Sequence, residues 1–557
     1  MIKRVLLTAS LLAACHGAEA FNRTVDLVPL GTFGPAGGFD EGAAEIVAYD
    51  ADTHQLFVIN SDASTVDILD ISDPTAPVLS GVIDVALNVS DSGGLNSVAV
   101  SDGLVAVAVE NDDTQAPGWV AFYDTDLNFL NAVMAGPLPD MVTFTPNGRY
   151  VLVANEGEPS DDYTNDPEGS ITVIDLRNGV MNPDVETADF TAFNSGAPAG
   201  VRITGPGATV AQDLEPEFIA TSSNSRLAWV TLQENNALAI VDIRRARVID
   251  LVGLGSKDHS RWRNALDASN RDDAINITPW PVNGLYQPDS IASFRSLGRT
   301  FLITANEGDA REYFFDVDPA DIPPGKTEEE ACLEDLGGLD FDEDDGCLSW
   351  IDEARAKDLE LDPSAFPNAS ELQRDENLGR LNIVATEGDT DGDGDYDQLF
   401  SYGARSISIW NAFGRQVYDS GSIMERRTAA AFPDDFNSTN DENGSFDNRS
   451  DDKGPEPEGV VTGKLKGRTF AFVGLERIGG IMIFDVTFPR FTRFVNYVNN
   501  RDFTVDVEED LVAAGDLGPE GLVFISRKDS PTRQPLLVVG NEVSGTTTIY
   551  GIEVGRR

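Results

Sequence analysis

Five aspartates alternate with small or polar residues in Asp389-Thr390-Asp391-Gly392-Asp393-Gly394-Asp395-Tyr396-Asp397. Acids at every second position, with Gly394 sixth from Asp389, match the opening of an EF-hand calcium loop, in which glycine permits the sharp turn. The closing glutamate is absent, because the twelfth position is Phe400. The stretch therefore reads as a calcium loop without EF-hand helices, with Asp389, Asp391, Asp393, Asp395 and Asp397 as ligands. The plainer alternative is a solvated acidic turn.

A second set of acids recurs along the chain. In Pro288–Glu312 a Pro-acid pair opens a short apolar run, a turn follows at Gly298, and a second apolar run ends at Asn306-Glu307-Gly308. The same order stands in Pro139-Asp140…Asn155-Glu156, Pro216-Glu217…Gln233-Glu234, Pro457-Glu458…Leu475-Glu476 and Pro519-Glu520…Asn541-Glu542. Two apolar runs about a glycine turn are a β-hairpin, and a hairpin repeated in this way marks a repeat architecture. Antiparallel pairing brings both acids of a unit to one end. The expected pairs are Asp140 with Glu156, Glu217 with Glu234, Asp289 with Glu307, Glu458 with Glu476, and Glu520 with Glu542. Glu110 stands opposite Asn96, and Glu45 with Asn60 is a weaker match. Carboxylates crowded around one rim repel, so either some keep their protons or a cation neutralises them. Oxygen donors favour Ca²⁺, with Mg²⁺ or another divalent ion as the alternative. A purely local role remains open, each acid accepting backbone N–H groups of its own turn.

Basic groups near these acids, Arg311, Arg405, Lys453 and His259, are candidates for holding a phosphate or carboxylate, or else simply salt-bridge partners. No G-x-S-x-G, P-loop or H-E-x-x-H is present, and 3 histidines are too scattered for a triad or zinc site.

The elements that must position these groups fall into about seven units of short strands. Four strands per unit is the content of a propeller blade. The last unit runs out of chain after three strands, and the unassigned 25–33 resembles the missing fourth. The expected fold is thus all-β, a seven-bladed β-propeller over residues 25–555 closed by its N-terminal strand. The fifth blade carries an acidic insertion, 316–377, and the calcium-type loop 389–397. Separate β-domains or a sandwich are the alternative.

With 557 residues, 41% of them hydrophobic, the chain can bury a large core; its net charge is −54 and its pI near 4.1. That excludes nucleic acid or an anionic membrane as the main target and makes cations the expected partners of a monomer. Lys3 and Arg4 followed by an apolar run read as an export signal over 1–20, too short to span a bilayer. Leu12-Ala13-Ala14-Cys15 resembles a lipobox, with lipidation at Cys15. Ala18-Glu19-Ala20 offers ordinary cleavage instead. The expected location is periplasmic, outer-membrane lipoprotein or extracellular. There, Cys332 and Cys347 are expected to pair as a disulfide.

The runs Lys257-Asp258-His259-Ser260, Tyr286-Gln287-Pro288-Asp289, Asn306-Glu307-Gly308-Asp309-Ala310-Arg311-Glu312, 388–395 and 450–459 together resemble the choice-of-anchor I family. Its domain is similar to that of mesenchyme-specific cell-surface glycoproteins and of some atypical bacterial alkaline phosphatases. The resemblance implies an exported, surface-associated propeller with calcium handling or phosphatase activity. The C-terminal Glu553-Val554-Gly555-Arg556-Arg557 carries no sorting signal, which leaves lipidation at Cys15 or free secretion. The expected function is a calcium-binding interaction module for a surface ligand. The alternative is a calcium-dependent phosphomonoesterase with unknown catalytic residues.

Overall fold

Strands, not helices, organise the chain. The computed structural model describes residues 23–342 and 345–555. The leader and Cys15 lie outside them. Seven four-stranded antiparallel sheets follow one another, and the longest described helix is Ile423–Ala431. The first sheet comprises Val47–Asp50, Gln55–Asn60, Thr65–Asp70 and Val78–Asp84. The next five span 92–137, 139–189, 219–253, 291–419 and 457–498. The seventh takes Pro519–Ile525, Leu536–Asn541 and Thr546–Val554 from the C-terminal end, and Val25–Phe33 pairs antiparallel with Thr546–Val554.

Burial explains the strand patterns. Middle strands are covered on both faces and read as continuous apolar runs, as in Tyr150–Asn155 and Leu536–Asn541, where every residue is buried. Outer strands read as polar: in Asp184–Asp189 only Ala188 is buried. The apolar clusters lie between neighbouring sheets. Phe57 and Ile68 meet Val107 and Ala121 between sheets one and two, and Ala108 and Phe122 of the second sheet meet Val151 and Val153 of the third. Leu56 and Val58 of the first sheet pack with Leu536 and Val538 of the seventh. Each fully buried Phe or Leu contributes roughly 1.5–3 kcal/mol, so these interfaces, more than any loop, hold the sheets in place. The first strands of successive sheets touch in order, and that of the seventh touches that of the first. This is a propeller-type arrangement.

Between the second and third strands of the fifth sheet lies a folded excursion. Glu312–Phe315, Gly346–Ile351 and Asp340–Asp342 form a three-stranded sheet, and Cys332 and Cys347 are joined by a disulfide (Cα–Cα 5.6 Å) beneath Phe315 and Phe341. Glu353–Arg355, Asn382–Val384 and Phe400–Ser401 join Asn283–Leu285 and Ser256–Asp258 in a five-stranded sheet. That sheet has its own core of Leu266, Phe366, Leu378, Leu381 and Ile383. The excursion therefore draws on residues both before and after the 316–377 stretch. No described helix is long and apolar enough to cross a membrane.

Candidate metal centre at the channel mouth

The Pro-acid and Asn-Glu motifs acquire their geometry from one recurrent hairpin end. Pro139 lies opposite Asn155 and Pro519 opposite Asn541, while Pro457 lies opposite Leu475. In all three the register shifts directly after the proline, a bulge that re-aims the acid behind it. The residue before four of the five motif prolines is left-handed, with φ of 46° at Leu138, 36° at Gln287, 44° at Glu456 and 65° at Gly518; Glu215, before Pro216, is not. Three of these four carry side chains, a conformation that costs energy and persists only where the surroundings impose it. Here a backbone bond imposes it: Glu156 N–H donates to Leu138 O (2.9 Å), Glu476 N–H to Glu456 O (2.9 Å) and Glu542 N–H to Gly518 O (2.7 Å).

The asparagine of each motif is buried and works as a clamp. Asn155 Nδ2 donates to Ser170 and Thr172, Asn306 Nδ2 to Ser406 and Ser408, and Asn541 Nδ2 to Thr546. With asparagine holding the third strand, the following glutamate projects toward the mouth. The channel has a volume of about 370 Å³, and Asn96, Asp140, Asp289, Glu458 and Glu520 all line it.

Two groups of acids converge there with different surroundings. Asp140, Glu156 and Glu217 place carboxylate oxygens within 4.8 Å of one another. Burial, then the surrounding carboxylates, raises Asp140 to about 7 and Glu156 and Glu217 well above the ordinary glutamate value, and none of the three forms an ion pair with a basic residue among the described residues. Glu307, Glu456 and Glu476 form the second group within the same distance. Here the chain supplies its own cations. Glu456 is fully buried, yet Lys453, Arg449 and Arg477 outweigh burial and hold it near 2. Arg449 Nη2 sits 2.8 Å and Arg477 Nε 2.9 Å from its oxygens, and Lys453 Nζ lies 3.4 Å from Glu307 and 3.2 Å from Asp309.

The other acids complete the rim. Burial followed by neighbouring carboxylates raises Asp289, Glu458 and Glu520 well above their ordinary values. Burial likewise raises Glu542. Glu45 rises to about 7 under burial, with Glu542 and Glu110 adding to it. Glu234 also reaches about 7 under burial, although Arg311 opposes the rise. Glu234, Glu458 and Glu520 each keep one buried Oε2 with no hydrogen-bond partner. A buried carboxylate oxygen without a donor is costly, and a cation is one remedy.

The basic residues have internal tasks. Arg311, 2% exposed, reaches Glu215 (2.6 Å) and Asp213 (2.9 Å) and also donates to Thr204. Arg405 binds Glu425 (2.7 Å) and the carbonyls of Asp267, Ser450 and Asp452. His259 is buried, its Nδ1 against Asn264 O, and burial lowers it well below the ordinary value. Arg202 ties the excursion to the rim through Asp352 (3.0 Å), Glu387 (2.7 Å) and the Glu234 carbonyl (2.7 Å).

At the Asp389 loop, Asp389, Asp391 and Asp397 lie within 4.8 Å of one another, and Asp397 forms a second such group with Asp395 and Asp362. Gly392 (φ 79°) and Gly394 (φ 100°) make the turn, and their N–H groups donate to Asp389. Asp393 accepts from Asp395 N–H. The donor set is all oxygen, which suits a hard divalent ion.

The model of the choice-of-anchor I domain matches residues 45–489. The chain belongs to the choice-of-anchor I domain family. This choice-of-anchor I chain is 32% identical over 190 residues to Gigasin-3a of Magallana gigas, covering 32% of this chain and 66% of that protein. It is 25% identical over 330 residues to the mesenchyme-specific cell surface glycoprotein of Strongylocentrotus purpuratus, covering 55% of this chain and 39% of that protein. It thus spans only part of either relative. Among solved structures, hydrazine synthase of Kuenenia stuttgartiensis aligns with 94% of this chain and 97% of its own at 12% identity, TM-score 0.42. The WD40 domain of Toxoplasma gondii coronin covers 96% and 87% at 8% identity, TM-score 0.43.

Three rim or loop residues of the choice-of-anchor I domain escape the repeat pattern. Glu456 precedes its Pro-acid pair, Arg477 follows its glutamate, and Asp362 lies 27 residues before Asp389 in the chain. The basic cluster Arg449 and Lys453 was the available signal for Glu456. Nothing local marks Asp362, which an isolated bridge between Leu361 and Tyr396 brings to the loop.

Proposed function

We propose that this protein is an exported, surface-associated binding module: a seven-bladed propeller, closed by its N-terminal strand, that presents bound calcium to a surface ligand. The observation that carries the reading is the Asp140–Glu156–Glu217 group, three carboxylates within 4.8 Å with no ion pair to a basic residue among the described residues. Such a group holds either protons or a cation, and its oxygen-only donors select Ca²⁺ over softer metals. The Asp389 loop, with Asp362, is the second calcium position. The cell-surface name of one relative supports the location. A binding role is preferred to phosphomonoester hydrolysis because Arg311 and Arg405 are saturated by internal acceptors.

Calorimetric titration of the chelator-stripped full chain with CaCl₂ tests this. Ca²⁺ uptake is expected, with one component lost in Glu217→Gln and another in Asp391→Asn with Asp397→Asn. Affinity at the mouth should weaken as pH falls below about 7, where Asp140 takes up its proton. No heat and no bound calcium in the parent chain would end the proposal.

A further inference from the structure

Two long connections carry buried acids that neither the mouth nor the Asp389 loop uses: 259–282, leading into the fifth sheet, and 432–456, leading into the sixth and also bearing Arg449, Lys453 and Glu456 of the mouth. Arg405, donating to the carbonyls of Asp267 and Ser450, bridges them, and beside this bridge three buried side-chain oxygens have no hydrogen-bond partner among the described residues: Asp267 Oδ1, Asn437 Oδ1 and Asp447 Oδ2. Their residues are 1%, 0% and 2% exposed. The second oxygen of each carboxylate is already engaged. Asp267 Oδ2 accepts from Asn276 N–H, and Asp447 Oδ1 accepts from Ser450 Oγ (2.5 Å). Asn437 Nδ2 donates to the same Ser450 hydroxyl (2.9 Å), which places Asn437 and Asp447 side by side and turns the amide's oxygen away from its donor contact. Asp447 in turn is the carboxylate that acts most strongly on Asp267.

Charge makes the arrangement incomplete. Arg405 is the buried cation here, and its guanidinium is taken by Glu425 and by the carbonyls of Asp267, Ser450 and Asp452. Asp267 and Asp447 form no ion pair among the described residues, and Asp272 adds a third negative charge that acts on both. Burying two carboxylates without a counter-charge costs several kcal/mol each in general, and each orphan oxygen adds its own desolvation cost. The Asn437 oxygen is the deciding member. It carries no proton to give and meets no donor among the described residues, so a proton shared between the two aspartates leaves it unsatisfied. A hard divalent cation satisfies all three oxygens at once.

We propose that Asp267, Asn437 and Asp447 form an internal divalent-cation site, of Ca²⁺ type by its all-oxygen donors, that cross-links the two connections. It is structural in position: the three residues are too buried to meet a surface ligand, and the ion would staple loops that the sheets themselves do not hold.

The test is a crystal of the full chain grown with saturating CaCl₂ and measured at long wavelength for the anomalous signal of calcium. A peak bounded by Asp267 Oδ1, Asn437 Oδ1 and Asp447 Oδ2 is expected. A water molecule there, or closed density with Asp267 and Asp447 in direct contact, overturns the proposal. In solution, Asp447→Asn should lower the calcium retained after gel filtration by one equivalent per chain, while Asp391→Asn with Asp397→Asn removes a different equivalent and the two losses add. Unchanged calcium content in a folded Asp447→Asn chain also overturns it. If that variant does not fold, the crystal of the parent chain decides.

Discussion

Replacing Asp140 by asparagine should stabilise the cation-free protein at alkaline pH, an unusual sign for a buried polar substitution. Asp140 ionises at about 7 in the folded chain against 3.8 ordinarily. Below about pH 4 the carboxyl is protonated in both states and asparagine is nearly isosteric with it. As pH rises, the unfolded chain ionises first while the folded chain holds its proton, so parent stability falls across the window from about 4 to about 7 and stays lower above it. The gap corresponds to about 4 kcal/mol at ~1.4 kcal/mol per pH unit. Solvent on the open side of the mouth, and repulsion shared with Glu156 and Glu217, reduce the net gain of Asp140→Asn to about 1–3 kcal/mol. With unfolding entropy of ~2 cal/mol/K per residue, that is roughly 1–3 °C in melting temperature for a chain of this size. The assay is thermal unfolding of parent and variant at pH 5 and 8, each with chelator and with CaCl₂. In chelator the variant should melt higher at pH 8, and by less than half as much at pH 5, which lies early in that window. In saturating calcium the parent gains ~3 kcal/mol at a hundredfold excess over its Kd and the order reverses. A variant no more stable than its parent in chelator at pH 8, or a difference as large at pH 5, refutes the electrostatic account of the mouth.

Arg311→Ala leaves Asp213 and Glu215 buried without their cation and should cost about 3–5 kcal/mol, measured by the denaturation midpoint. Arg311→Lys should recover only part of this, because one ammonium cannot reach both carboxylates and Thr204 as the guanidinium fork does. Replacing Cys332 and Cys347 by serine opens a loop with a sequence separation of 15, worth about 3 kcal/mol locally. Limited proteolysis should then cut within 316–351 while the seven sheets melt as before. Deleting residues 25–33 should expose the Thr546–Val554 edge and lower the melting temperature, with rescue by a synthetic 25–33 peptide. Unchanged stability would remove the closure strand from the account.

Much of the fold was legible because a sheet with both faces covered writes itself as short apolar runs between turns. Runs such as 150–155 and 470–475 mark middle strands, and the unpaired 25–33 segment points to its partner by default. The hairpin-end acids were legible for the same reason, since the proline and asparagine beside them recur with the strand lengths. The excursion was not. Its strands are as short as two or three residues, and its cores are small, so no periodicity accumulates. The inequality of the rim was equally hidden. Glu156 and Glu307 occupy equivalent places in the repeat, but Lys453, Arg449 and Arg477 reach only the second group, the first two from a connection whose course the repeat does not encode.

The bonds of Arg202 and Arg311 bear on how this protein can be cut. Both guanidiniums cross between the fold's repeating body and the material inserted into its fifth sheet: Arg202 grips Asp352, and Arg311, borne on the inserted side, grips Asp213 and Glu215. Excising the inserted piece to obtain a minimal propeller would strip two buried acids of the one guanidinium that pairs with them among the described residues, and would leave Arg202 with the Glu234 carbonyl but without its two carboxylates. The piece behaves as a keystone, and shortened versions of the chain should keep it whole.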